Sequence, residues 1–68
     1  MTTVIKSKAI GHYYITLSIE RRYNMNYYEV TSNYYNRLDL NNVYHMTEYK
    51  KALRCFYRYC ARARKNEG

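Results

Sequence analysis

The chain has 68 residues, a net charge of +7, eleven tyrosines, two cysteines and no proline. A chain this short makes one domain with a marginal core, burying only about 60 % of the surface its unfolded form exposes, and at 47 % apolar residues it is too hydrophobic for a disordered protein. It lacks the run of about 18 apolar residues that spans a membrane, and the opening Met-Thr-Thr-Val-Ile-Lys lacks the apolar stretch of a signal peptide, so the expectation is a reduced, cytoplasmic domain.

Thr3 to Ile10 is rich in β-formers without clean alternation and reads as an outer strand, where Lys6 and Lys8 discourage edge-to-edge pairing. Gly11 permits a tight turn or bulge. His12 to Glu20 alternates cleanly, with Tyr13, Ile15, Leu17 and Ile19 on the side to be covered and His12, Tyr14, Thr16, Ser18 and Glu20 opposite. Arg21 to Asn26 reads as a polar connector. Tyr27 to Tyr35 is the next strand, antiparallel to the last, with Tyr28, Val30, Ser32 and Tyr34 pointing inward. In Asn36 to Met46, Leu38 and Leu40 alternate with Arg37 and Asp39, which permits a short fourth strand that Asn41-Asn42 would break.

Thr47 to Lys65 is the clearest element. At 100° per residue, Tyr49, Ala52, Leu53, Phe56, Tyr57, Tyr59, Cys60 and Ala63 share one side of a helix. Lys50, Lys51, Arg54, Arg58, Arg62 and Lys65 share the other, and only Arg64, in the fraying last turn, falls among the apolar residues. Thr47 suits the N-cap and Glu48 the first turn. Lys50 stands where a capping box needs Glu or Gln. Cys55 and Cys60 are separated by about 500° of turn and a rise of about 7.5 Å, so they cannot pair; Cys60 belongs to the core and Cys55 to its boundary.

The fold class is therefore α+β: a small antiparallel sheet of three strands, with a fourth permitted, over residues 1–46, packed on one C-terminal amphipathic helix over 47–65. The bare sheet face would show His12, Tyr14, Thr16, Tyr27, Thr31 and Tyr35.

Charge points to binding rather than catalysis. Residues 48–68 hold seven Lys or Arg and two acids, against five and three in residues 1–47. Six cations on one helix face, without acids among them, suit a polyanion or an acidic protein surface; a solvated face that keeps a tyrosine-rich chain soluble is the plain alternative. Tyr14, Tyr27 and Tyr35 are a candidate aromatic contact face for unpaired bases, with cross-strand pairing as its structural counterpart. The tyrosine count is equally explained by an AT-rich genome.

His12, His45, Cys55 and Cys60 match no zinc spacing, so no metal or cofactor is expected. His45 with Asp39 or Glu29 is the one acid–base combination in view, no spacing signature supports it, and no glycine-rich phosphate loop exists, so no catalytic residue is assigned. No second helix exists for a helix-turn-helix, and the glycine-aromatic pattern of an RNA-recognition motif is missing.

The first expectation is a non-enzymatic protein that contacts DNA or RNA through the cationic helix. The alternative is an inhibitor or adaptor that docks on a nucleic-acid-processing protein or complex; in size and composition the chain is similar to the small proteins of phages and mobile elements, anti-CRISPR inhibitors among them. A homodimer through the bare sheet face or its edges is compatible with either.

Overall fold

Alternation along the second segment organises the sheet: Tyr13, Ile15 and Leu17 turn inward and are buried, while Tyr14 between them is half exposed. The computed structural model describes residues 2–67. It contains four strands, β1 (Thr2–Ile10), β2 (Tyr13–Arg22), β3 (Met25–Tyr34) and β4 (Arg37–His45), followed by one helix, α1 (Tyr49–Glu67). Chain neighbours pair antiparallel in the order β1-β2-β3-β4, which leaves β1 and β4 as edges. The fold is α+β, a four-stranded meander under a helix that packs against all four strands.

The strands are longer than the pattern of residues indicates because all three connections are two-residue turns. Gly11 has φ +58°, as the first central residue of a type II′ turn requires. Tyr23 and Asn24 have φ +51° and +63°, and Tyr35 and Asn36 have +51° and +64°, the signature of type I′ turns. The connector expected over Arg21–Asn26 therefore shrinks to Tyr23 and Asn24, with Arg21 and Arg22 paired to Asn26 and Met25. Tyr35 leaves the strand for the same reason. Asn tolerates the left-handed region, whereas Tyr there is uncommon. At Tyr35 the strain is offset by stacking on His12, with centroids 4.1 Å apart and planes 17° apart.

The fourth strand is full length, and Asn41-Asn42 does not interrupt it. Asn41 Nδ2 donates to Glu29 Oε2 at 2.7 Å and to Thr31 Oγ1 at 3.1 Å, so its amide is satisfied across the sheet. Each edge strand carries one extra residue: register slips between Val4 and Lys6 in β1, and opposite Ser32/Asn33 in β4, where Asp39 is the unpaired residue. The second slip separates the leucines that alternation had placed together. Leu40 packs on the core, and Leu38 is 67 % exposed on the opposite face.

Glu48, not Thr47, is the N-cap, since the Ala52 N–H donates to the Glu48 carbonyl at 3.0 Å. Thr47 is engaged by His45: its N–H donates to Nδ1 at 3.2 Å and its hydroxyl lies 2.9 Å from the same nitrogen. The helix then buries Ala52, Cys55, Phe56, Tyr59, Cys60 and Ala63. Its buried seam is rotated from the one read at 100° steps. Cys55 is fully buried rather than at the boundary, and Tyr57 is 53 % exposed. Both cysteines are free. No helix among the described residues is long and apolar enough to cross a membrane.

Candidate anion-binding surface

Side chains alternate between faces along a strand, so the register assigns each strand residue to the helix side or to the open face. Lys6 pairs with Leu17 and Lys8 with Ile15, both buried beneath α1, which places the two lysines on the helix side. Arg21 continues the inward series of Leu17, and Arg37 pairs with Tyr34 of the inward series in β3. Of the twelve Lys and Arg in the chain, Arg22 alone registers to the open face.

That open face carries carboxylates instead. Glu20 accepts from the Thr2 hydroxyl at 2.6 Å, and Glu29 accepts from Asn41. Beyond Glu29, toward the β1–β2 turn, lie uncharged rows, Ser7, Thr16, Thr31 and Asn41 in one, Ala9, Tyr14, Asn33 and Leu38 in the next. The domain therefore has a cationic side and a neutral-to-acidic side, separated by one layer of sheet.

The expected helix cations divide into two groups. Lys51 pairs with Glu48 at 3.0 Å and Arg62 with Asp39 at 2.6 Å, so acids from outside the helical repeat neutralise two of the six. The Asp39 pairing follows from the β4 bulge, which turns this carboxylate toward the helix, where it also accepts from Ser32 Oγ at 3.3 Å. Its hydrogen bond to Arg62 raises the guanidinium pKa further. Lys50, Arg54, Arg58 and Lys65 are exposed, and among the described residues no carboxylate pairs with them.

Two depressions flank the helix. On the β4 margin, Tyr44, Lys51, Arg54 and Arg58 line a cleft of about 400 Å³. Tyr44 packs against the core with Cys55 and Arg58 beside it, and the interaction with Cys55, with burial, raises its pKa. Cys55 also meets Asn42 Nδ2 at 3.9 Å, and burial pushes the pKa of Tyr59 up to about 12. Glu48 at the rim is held below the usual carboxylate range by Lys51 and by the His45 N–H, 3.0 Å away. On the β1 margin, Lys6, Ser7, Lys8, Phe56, Tyr57, Cys60 and Arg64 line a groove of about 270 Å³. Burial raises the Cys60 thiol pKa, and Arg64 and Lys8 oppose it.

Lys6, Lys8, Arg64, Tyr44 and Tyr57 were not expected at the cationic surface. Lys6 and Lys8 share a face by their two-residue spacing alone; which face depends on the bulge at Ile5, and no residue type announces it.

The three tyrosines of the candidate aromatic face are not brought together. Tyr14 sits beside Asn33 at one end of the open face, and Tyr27 pairs with Glu20 and His45 at the other, six residues or about 20 Å along β3. Tyr35 lies in the β3–β4 turn on His12. The aromatic cluster that does form is at that end of the molecule, where Tyr13, Tyr34 and Tyr35 meet at centroid separations of 4.5 and 4.6 Å. It is tied to the helix C-terminus by Asn66 Nδ2 donating to the Tyr13 hydroxyl and by the His12 N–H donating to Glu67 Oε1.

The acid–base combination considered for His45 is not assembled either. His45 engages Thr47, Asp39 engages Arg62, and Glu29 engages Asn41. Among the described residues no three His, Cys, Asp or Glu side chains group as a metal site. Comparison with known protein families, with curated proteins and with solved structures returns no match.

Proposed function

We propose that this chain is a small non-enzymatic binding protein that lays its helix side along the phosphate backbone of a nucleic acid. The observation that carries the reading is the sidedness of charge: Arg22 alone of twelve cations registers away from the helix side. Solubility would be served by charges of both signs spread over all faces. Lys50 to Lys65 span about 22 Å of helix axis, a length that covers about six base pairs of duplex at 3.4 Å each. Contacts of this kind hold phosphates and carry little sequence information.

The test is a titration of DNA and RNA, single- and double-stranded, across a series of salt concentrations. Four unpaired ridge cations predict a log–log salt slope near −3.6 on duplex DNA, from about −0.9 per neutralised phosphate. Arg54→Glu/Arg58→Glu should flatten that slope and abolish binding at physiological salt. No binding at low salt would overturn the reading.

One observation favours docking on an acidic protein surface as the second reading. Tyr44 stands beside Arg54 and Arg58, and Tyr57 beside Lys6, Lys8 and Arg64, and Tyr and Arg together dominate many protein interfaces. In that case one or two positions carry most of the affinity, and remote cations such as Lys65 carry almost none.

A further inference from the structure

We propose that the cleft between β4 and α1 is a seat for a phosphomonoester, the phosphorylated end of a nucleic acid strand, and not simply one more stretch of backbone contact. The proposal rests on the nucleic-acid reading and sharpens it.

The ridge residues Lys50 and Lys65 are exposed on the helix surface, but Lys51, Arg54 and Arg58 converge with Tyr44 on one concavity. The spacing of three and four residues stacks these three cations on one helical stripe. Opposite them, Tyr44 projects from the sheet and lines the same concavity. Tyr44 is partly buried and packs on the core cluster, so the aromatic wall is anchored to it.

At about 400 Å³ the open depression is larger than a single backbone oxygen needs. Paired guanidiniums are the groups best shaped for a multi-oxygen anion. A tyrosine ring beside them offers a surface on which the terminal base can stack.

Charge selects the ester. Glu48 pairs with Lys51, which leaves the cleft with the two positive charges of Arg54 and Arg58. An internal phosphodiester brings one negative charge. A phosphomonoester brings nearly two above pH about 6 and presents three free oxygens to the two arginines.

The experiment is a fluorescence titration of one short oligonucleotide in three forms, ending in 5′-phosphate, in 3′-phosphate and in hydroxyl groups, with inorganic phosphate as competitor. The expected result is binding about tenfold tighter for a phosphorylated end. That preference fades as pH falls through about 6, where the monoester loses its second charge. Inorganic phosphate removes the preference and leaves the binding of the hydroxyl form. Arg54→Ala and Arg58→Ala each abolish the preference, whereas Lys65→Ala weakens all three forms equally. Equal affinity for the three forms, or a preference that survives Arg54→Ala/Arg58→Ala, would overturn the seat and leave the backbone-binding reading standing. Failure of every form to bind would remove both.

Discussion

Arg62 and Asp39 meet at 2.6 Å across the seam between helix and sheet, and they meet because β4 bulges by one residue at Asp39. The same carboxylate accepts from Ser32, which is 1 % exposed. Asp39→Ala therefore does two opposite things. It leaves a buried hydroxyl without its acceptor and breaks a partly exposed ion pair, and should lower stability by about 1 kcal/mol. It also releases Arg62 to the solvent, which should steepen the salt dependence of nucleic-acid binding by about one in log–log slope. Urea denaturation and a salt series measure the two effects separately; weaker binding by the variant at low salt would contradict the second.

Gly11 is held at φ +58° with the Glu67 side chain against it, so closely that a Cβ would run into the carboxylate. Gly11→Ala should cost about 1–2 kcal/mol from backbone conformation alone, and more from the collision. Adding Glu67→Ala should recover the collision part and not the conformational part. A double-mutant cycle in urea reads the difference directly. Full recovery in the double variant would show that the left-handed conformation at residue 11 is unimportant.

The two Tyr-Asn turns have the same backbone and different surroundings. Tyr23 is 96 % exposed, so Tyr23→Asn with Asn24→Gly installs the preferred I′ pair and should raise stability by about 1 kcal/mol. The matching change at Tyr35 and Asn36 removes the stack on His12 and the edge contact with Tyr34. Those aromatic contacts contribute about 0.5–1.5 kcal/mol each, so that variant should be no more stable than the parent. Equal gains at both turns would mean that the His12–Tyr35 stack contributes nothing.

Tyr59 should be the last tyrosine to ionise. Burial beside Cys55 pushes its pKa up to about 12, whereas in the unfolded chain it returns to about 10. The folded state therefore holds the proton that the unfolded state has released. The contribution is complete below pH about 10 and is lost as pH rises through about 12. Absorbance titration at alkaline pH should show a late phase that coincides with loss of helix and disappears in Tyr59→Phe. Retention of the phase in that variant would assign it elsewhere.

Much of the fold was legible because two periods are strong in the chain. Alternation in β2 named its buried face, and the 100° arithmetic named most of the helix seam and all six ridge cations. What escaped reading has a common cause: single-residue irregularities. One extra residue at Ile5 sets the side on which Lys6 and Lys8 fall, and one at Asp39 parts Leu38 from Leu40 and makes the pair with Arg62. Neither position carries glycine or proline to signal it. The fourth strand was hidden because asparagines are poor strand formers, and Asn41 is satisfied only by partners on β3. The tyrosines of the bare face were misjudged because turn geometry, not alternation, governs Tyr35.

The paired irregularities on the outermost strands also bear on how readily the sheet edges can pair with another molecule. A meander of nine- and ten-residue strands without proline presents two long rims of unused amide and carbonyl groups, and a straight rim is a template for endless lateral growth. Here each rim is kinked once, so a second molecule that docks in register along one half loses register along the other. Continuous pairing along a whole rim is thereby disfavoured. Excising Ile5 to straighten β1 should make edge-to-edge association easier, a gain that sedimentation at rising concentration reads.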